Sequence, residues 1–461
     1  MTLMSRKRIQ KLHLVGIGGS GMSGIAEVLH ENGFVVTGSD TGSGEPIEYL
    51  KKIGISIKKD HAAKNVEGVD LVVYSSAIGK DNIELIEAKM RHIPIIRRAE
   101  MLGELMRLKY TLAIAGTHGK TTTTSIVGAI WEAAGLDPTV ILGGVVKGKG
   151  SGAQVGRGSY LIAESDEFDR SFLSMMPSSA VITNIDEDHL DTYKNIEEIK
   201  AAFIEFANKV PFYGQVILCL DDLNIQSILS KLLKPVVTYG FSSQAIYRIK
   251  NLETKSEVSH FDIYKNNEYL ESFEFKKPGK HNVLNATAAI ALAVEEKIPL
   301  SVIKNAVSDF KGVRRRFELM GEAKNISVYN DYAHHPTEVE ATLQGFRDAY
   351  PNKRLVVVFQ PHLYSRTRDL HEAFGTAFGN CDVFYCTDIY PAREAPIEGV
   401  TGDLVVRSAQ NRGHRDAHYI LKDDELVVKL KKELKENDIV IFMGAGNIWL
   451  EGNKLLEVLN A

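Results

Sequence analysis

Thr111-Leu112-Ala113-Ile114-Ala115-Gly116-Thr117-His118-Gly119-Lys120-Thr121-Thr122-Thr123 is the stretch on which the fold turns. A short apolar strand, Thr111–Ala115, runs into a glycine loop and on into a helix. That order belongs to a parallel sheet with helices packed on its faces. Backbone N–H groups of such a loop, with the N-terminus of the helix behind it, form a cradle for phosphate. Lys120 adds a point charge for the outer phosphates, and the Thr121 hydroxyl is suited to Mg²⁺. The full phosphate-loop pattern places a glycine five residues before Gly119, where this chain has Ile114. The loop is therefore a shortened form, Gly-x-x-Gly-Lys-Thr. Gly116, Thr117, His118, Gly119, Lys120, Thr121 and Thr122 are the candidate ATP-binding residues.

Downstream, two apolar strands end in acid. Tyr160–Ala163 leads into Glu164-Ser165-Asp166-Glu167-Phe168-Asp169, and Ala180–Thr183 leads into Asn184-Ile185-Asp186-Glu187-Asp188-His189-Leu190-Asp191. In open α/β sheets, ligands bind beyond the carboxyl ends of the strands. Carboxylates clustered there repel one another unless a cation neutralises them, and magnesium prefers carboxylates, hydroxyls and substrate phosphates. One or two Mg²⁺ ions are expected between Thr121, Glu164 and His189, with Mn²⁺ as a substitute. The histidine is an unusual ligand for so hard a cation.

Upstream lies a second glycine loop, Gly16-Ile17-Gly18-Gly19-Ser20-Gly21, after the strand Leu12–Val15 and before a helix from Met22 to Glu31. The next strand, Gly33–Gly38, ends at Ser39-Asp40, and Leu71–Tyr74 ends at Ser75-Ser76. Taken alone this is a dinucleotide-binding fingerprint, so a nicotinamide dehydrogenase is a rival reading. Nothing else in the chain suggests hydride transfer, and a nucleotide-sugar diphosphate satisfies the same loop. Further along, residues 247–275 alternate apolar and polar and suggest a small antiparallel excursion. A third α/β unit carries strands at Ser327–Tyr329, Leu355–Phe359 and Ile439–Phe442. It also carries Gly312-Val313-Arg314-Arg315-Arg316, then Asp331-Tyr332-Ala333-His334-His335-Pro336-Thr337-Glu338, then Phe359-Gln360-Pro361-His362-Leu363-Tyr364-Ser365-Arg366-Thr367-Arg368. Arginine suits phosphate and carboxylate by its planar fork.

Composition narrows the class. At roughly 150 residues per domain, 461 residues suggest three domains. The chain is 25% charged and 44% apolar with a net charge of -4, so it has no basic field for nucleic acid and no polybasic membrane anchor. Cys219, Cys381 and Cys386 form no Cys-x-x-Cys pair and read as buried free thiols. The basic stretch from Met1 to Lys11 lacks the apolar segment of a signal peptide, and no apolar run is long enough to cross a bilayer. A cytoplasmic enzyme is expected, as a monomer or homodimer.

At these residues the chain resembles the Mur ligase family, over essentially its whole length. The likeness rests on Gly116–Thr123, Thr183 through His189, and Gly279-Lys280-His281-Asn282-Val283-Leu284-Asn285. Gly18–Glu27, Ser75-Ser76-Ala77-Ile78, Asp331–Glu338 and Phe359–Arg368 are similar to the alanine-adding branch. The resemblance implies a Rossmann-like N-terminal domain for a UDP-sugar (residues 1–107), a central P-loop-type ATPase domain (108–311) and a Rossmann-like C-terminal domain for the amino acid (312–461). It places the UDP-sugar at Gly18, Gly19, Ser20, Gly21, Met22, Ser23, Asp40, Ser75 and Ser76. It places Asn282 and Asn285 near adenine, and Arg316 and Asp331 at the nucleotide. Tyr332, His334, His362 and Arg366 would surround L-alanine. Relatives often carry a basic residue where this chain has Leu363, and some use a modified lysine for which residues 201–206 offer no counterpart. The implied reaction transfers the γ-phosphoryl of ATP to the carboxylate of UDP-N-acetylmuramate, and the amine of L-alanine then attacks the acyl phosphate. Lys120, Glu164, His189 and His334 would carry the chemistry, with His334 accepting the amine proton. Two neighbouring alternatives are a ligase that recycles a preformed peptide and a folate-type polyglutamate ligase.

Overall fold

The computed structural model describes residues 9–75, 77–143, 152–168, 170–188, 192–392, 394–422 and 424–461. The expected site residues Ser76 and His189 lie outside these, as does Asp191. By packing, the chain forms two compact units. One comprises Met1–Lys250, Asp262–Phe273 and Leu284–Phe310; the other comprises Asn251–Phe261, Glu274–Val283 and Lys311–Ala461.

The first unit opens with five strands: β1 (Lys11–Val15), β2 (Val35–Ser39), β3 (Ser56–Lys58), β4 (Leu71–Tyr74) and β5 (Ile95–Arg97). They form one sheet in the order β3-β2-β1-β4-β5, with every pair parallel. The order reverses direction between β1 and β4, which opens a crevice beyond their carboxyl ends.

The next strands are β6 (Tyr110–Ala115), β7 (Thr139–Ile141), β8 (Ala153–Gln154), β9 (Tyr160–Glu164), β10 (Ser179–Ile182), β11 (Val216–Cys219), β12 (Val236–Gly240), β13 (Tyr247–Lys255), β14 (Val258–Lys265) and β15 (Glu268–Phe275). They join in the order β15-β14-β13-β12-β11-β10-β6-β9-β7-β8. β6 lies between β10 and β9 and is parallel to both, so three strand ends meet at its loop. The excursion expected at residues 247–275 is a run of three strands, attached to β12 by a parallel pair. Its turn at Asn266-Asn267 holds both residues at positive φ, +51° and +69°, as a two-residue hairpin turn requires.

The second unit is built on β16 (Glu318–Ala323), β17 (Ile326–Asp331), β18 (Leu355–Phe359), β19 (Val383–Cys386), β20 (Ala417–Tyr419) and β21 (Ile439–Met443), in the order β16-β17-β21-β18-β19-β20. Only the β16–β17 pair is antiparallel. Leu355–Phe359 and Ile439–Met443 read as unbroken apolar runs because both sheet faces are covered. Val356, Val358, Val440 and Phe442 fill one core layer, and Val357, Phe359, Ile441 and Met443 fill the other. An earlier piece of chain is built into this unit: Glu257 accepts hydrogen bonds from the hydroxyls of both Tyr329 and Tyr350. Gly279 meets Gly345 so closely that a Cβ on Gly345 would stand 3.2 Å from the Gly279 Cα.

Candidate active site

Each sheet presents a glycine-rich turn at the carboxyl end of a central strand. Beyond β6, Gly116 has φ +128° and Gly119 has φ +82°, backbone conformations that favour glycine. Space enforces the same choice. A Cβ on Gly116 would stand 2.1 Å from Thr183 Oγ1, and one on Gly119 would stand 2.4 Å from Asn285 Oδ1. The loop is fastened to the strand end after β10. Thr183 Oγ1 donates to the His118 carbonyl (2.6 Å), Asn184 Oδ1 accepts from the His118 N–H (2.8 Å), and the Asp186 N–H donates to Thr117 Oγ1 (2.9 Å). His118 Nε2 lies 3.0 Å from Asp186 Oδ2. The helix Lys120–Ala133 starts directly behind the loop, so its first N–H groups lack carbonyls one turn back and point at the cradle.

Lys120 Nζ donates to the carbonyls of Gly116 (2.7 Å) and Thr117 (3.1 Å) and to Glu167 Oε2 (2.8 Å). Burial opposes the lysine's charge, but Glu167 and Asp166 outweigh it and hold the ammonium above its ordinary range. Burial also pushes the Glu167 carboxyl up, against the pull of Lys120. Thr121 Oγ1 is 3.0 Å from both oxygens of Glu164, whose Oε2 also accepts the Gly143 N–H at 2.9 Å. Burial raises the Glu164 carboxyl above the usual range. A hydroxyl and a carboxylate in contact beside a phosphate cradle are the hard oxygen donors that Mg²⁺ prefers, so the donor set fits that ion. Thr122 is buried in the helix. Glu167 is the residue here that sequence reasoning left undistinguished within the acidic run; only its position against Lys120 separates it from Asp166.

Beyond β1, Gly16 (φ +76°) turns the chain, and a Cβ there would press on the Ser75 Cβ at 3.2 Å. Asp40, at the end of β2, spends one carboxylate oxygen on the Gly18 N–H (2.7 Å) and the other on the Gly42 N–H (2.8 Å). It therefore braces the loop. Gly19 precedes the helix Ser20–Glu31, within which Met22 and Ser23 are buried. A residue not anticipated is Arg98, whose Nη1 would lie 2.2 Å from a Cβ on Gly21, at the start of that helix. Beneath this sheet end, fully buried Glu84 accepts from Ser39 Oγ (2.6 Å) and Asn65 Nδ2 (2.6 Å) and lies 2.8 Å from His61 Nδ1 and 3.4 Å from His13 Nε2. Burial opposes its charge, yet His13, Ser39, Asn65 and His61 together bring its carboxyl down to about 2.

In the second unit, Tyr332, His334, His362 and Arg366 form one run of contacts. The guanidinium carbons of Arg315 and Arg316 lie 4.7 and 5.1 Å from the Tyr332 ring. The Tyr332 and His334 rings are 5.3 Å apart, His334 and His362 5.9 Å, and Arg366 Nη1 is 3.5 Å from His362 Nδ1. His362 stacks on Tyr390, which the sequence did not single out. Asp331 is buried and accepts the N–H groups of Phe317 (2.7 Å) and Ala333 (2.8 Å). Its carboxyl is raised by burial and held back by Arg316. Arg315 donates to the carbonyls of Gly444 (2.6 Å) and Gly446 (2.8 Å) and so locks the turn after β21. That turn, Gly444-Ala445-Gly446, follows its strand as the other two loops do, a signal the sequence already held. Asn282 donates to the Pro278 carbonyl at 2.7 Å. Leu363, at φ +72°, caps the helix Tyr364–Ala377 and donates its N–H to the Tyr390 carbonyl.

The chain belongs to the Mur ligase family, a class of ATP-dependent, amide-bond-forming enzymes. It matches the family's catalytic domain over residues 11–110, its middle domain over 114–293 and its glutamate ligase domain over 315–446. It is 49% identical over 454 residues to a UDP-N-acetylmuramate–L-alanine ligase of Geobacter sp. (strain M21), covering 98% of each chain. It is 48% identical over 453 residues to the enzyme of that name from Salinibacter ruber, covering 98% of this chain and 95% of the relative. Among solved structures, the UDP-N-acetylmuramate–alanine ligase of Thermotoga maritima superposes with a TM-score of 0.80 at 30% identity, over 97% of this chain and 98% of the other. A murein peptide ligase from Psychrobacter arcticus shares the fold, with a TM-score of 0.69 at 23% identity over 98% and 99%. The architecture is accordingly mixed α/β with N-terminal, middle and C-terminal domains, and the dehydrogenase reading of the first glycine loop falls. All three cysteines are free and buried, as expected. No helix among the described residues is long and apolar enough to cross a membrane.

Proposed function

We propose that this chain joins L-alanine to the carboxylate of UDP-N-acetylmuramate, a step of peptidoglycan precursor synthesis. The γ-phosphoryl of ATP passes to the muramyl carboxylate, the α-amine attacks the acyl phosphate, and inorganic phosphate leaves. The observation that carries the reading is the Thr121 hydroxyl against the Glu164 carboxylate beside Lys120, at a glycine cradle closed by Thr183 and Asn285. Near full-length likeness to two alanine ligases selects the acceptor and the amino acid over a recycled peptide.

In this reading, residues 1–107 hold the UDP-sugar, 108–311 the ATP and 312–461 the alanine. Gly116–Thr122 and Lys120 seat the phosphates, and Asn282 and Asn285 lie near adenine. Thr121 and Glu164 would hold Mg²⁺, with His189 supporting a second ion, and the ion so held would supply charge neutralisation to the transferring phosphoryl group. Charge and positioning supply most of the rate in such transfers. Arg366 takes the alanine carboxylate as a planar fork, and His334 receives the amine proton. In this reading the protein works in the cytoplasm, a reducing compartment with which three free, buried thiols are compatible. The test is ADP and phosphate release by purified protein. Release should require ATP, Mg²⁺, UDP-N-acetylmuramate and an amino acid together, with L-alanine preferred over glycine, serine and tripeptide. Preference for a peptide, or ATP-independent reduction of NAD, would refute it.

A further inference from the structure

We propose that Glu338 is a positioning residue that fixes His334 as a proton acceptor and ties it to Arg316; this rests on the reading of His334 as the group beside the incoming amine. Glu338 stands in the first turn of the helix Pro336–Ala349. Its Oε2 lies 3.1 Å from His334 Nδ1 and accepts the His334 backbone N–H at 3.2 Å. Its Oε1 lies 3.4 Å from Arg316 Nη1. One carboxylate thus spans a guanidinium given to the nucleotide and an imidazole given to the amino acid.

The chemistry of Nδ1 decides the tautomer. Besides Glu338, it faces the Tyr332 carbonyl at 3.1 Å. A carbonyl and a carboxylate only accept hydrogen bonds, so Nδ1 must carry the hydrogen. The neutral ring then has its lone pair on Nε2, the form required of a base. His335 takes the capping position of the helix, accepting the Thr337 N–H on its own Nδ1, which leaves its neighbour to Glu338. The groups around His334 are the Tyr332 ring with Arg315 and Arg316 over it, the His362 ring with Arg366 beside it, and Glu338. In the step itself the alanine nitrogen forms its bond to the acyl carbon. The carbon–oxygen bond to phosphate breaks, phosphate leaves with the electron pair, and the amine proton passes to Nε2.

The experiment uses the full chain with Glu338→Gln, Glu338→Asp and His334→Ala, measuring kcat and KM for L-alanine against pH. Glu338→Gln is expected to lower kcat by about tenfold to a hundredfold while KM for alanine moves less than about threefold. The acid limb of its pH profile should move, because the carboxylate that faces Nδ1 is gone. Glu338→Asp keeps the charge, so its acid limb should stay in place while kcat falls. Should the glutamine variant not fold, this aspartate variant decides: an unchanged kcat overturns the proposal. In a His334→Ala background, Glu338→Gln should cost little more. An unshifted acid limb in Glu338→Gln, or an undiminished loss in that background, overturns the positioning role while leaving the reading of His334 intact. A His334→Ala variant with normal kcat overturns both.

Discussion

Replacing Gly116 with alanine tests whether the cradle after β6 is set by backbone geometry. At φ +128° an L side chain is strained by about 1–3 kcal/mol. The new Cβ would also fall 2.1 Å from Thr183 Oγ1, so that hydroxyl must rotate away. It would forfeit its bonds to the His118 carbonyl (2.6 Å) and the Ala115 carbonyl (3.3 Å), each worth about 0.5–1.5 kcal/mol. The sum is roughly 2–6 kcal/mol, or about 10 °C in the melting of the domain concerned. Thr183→Ala in the same chain removes the nearest atom but leaves the Thr183 and Asn184 nitrogens at 2.9 and 3.1 Å. The pair should therefore be less than additive by about 1–2 kcal/mol, and a double-mutant cycle read by denaturant unfolding measures it. ATP affinity, measured by calorimetry, should fall more steeply than stability, because the displaced His118 carbonyl carries the loop with it. A Gly116→Ala protein that melts within a degree of the natural chain and binds ATP normally would refute the reasoning. Full additivity with Thr183→Ala would remove the steric part of it.

Three other outcomes are expected. Glu164→Ala should raise the Mg²⁺ needed for half-maximal velocity by about tenfold, the loss of one charge-assisted ligand, with UDP-sugar affinity unchanged; an unaltered magnesium titration counts against the ligand assignment. Arg366→Ala should raise KM for L-alanine about tenfold to a hundredfold; lowered Tm with unchanged KM would mark Arg366 as purely structural. Glu84→Gln addresses pH: a carboxyl at about 2 when folded and 4.5 when unfolded stabilises the protein above pH 4.5 and loses that stabilisation as pH falls toward 2. The shift of 2.5 units is worth at most about 3.4 kcal/mol, discounted to roughly 2 for solvent reaching the cluster past His61. The gap to the glutamine variant, read by urea unfolding, should be full at pH 7 and much reduced at pH 3; a gap that widens on acidification contradicts the sign.

The local parts of this molecule were legible because they are written in consecutive residues. Strand, glycine, lysine and hydroxyl at Thr111–Thr121 mark a phosphate loop in consecutive residues, even though its fastenings to Glu164, Glu167, Thr183, Asn184 and Asp186 come from later strands, and unbroken apolar runs such as Leu355–Phe359 fit a sheet buried on both faces. Short strands escaped notice: Ser56–Lys58 and Ala417–Tyr419 are three residues each and take their conformation from parallel partners far away in the chain. The buried cluster on Glu84 was illegible for the same reason, since His13, Ser39, His61 and Asn65 converge on it from four separate segments. Asp40 shows the opposite limit. Its place after β2 was read correctly, but the pattern that marks a ribose ligand also fits a carboxylate bracing its own loop through the Gly18 N–H. Glu338 was visible in Asp331–Glu338, yet its two oxygens divide between His334 and Arg316, and a linear reading offers no way to see that division.

The clasp of Glu257 by Tyr329 and Tyr350 bears on how the protein is made. Its acceptor precedes its donors by 72 and 93 residues. At about 5–20 residues per second of synthesis, the acceptor emerges several seconds before the first of the two hydroxyls exists. Residues 251–261 and 274–283 therefore leave the ribosome as fragments of a body whose remainder, Lys311–Ala461, is still being translated. Through that interval the hairpin around Glu257 has no tyrosine to bind and stands open to chaperones and proteases. A nascent chain arrested before residue 329 should be cut in this hairpin, whereas the finished chain should resist.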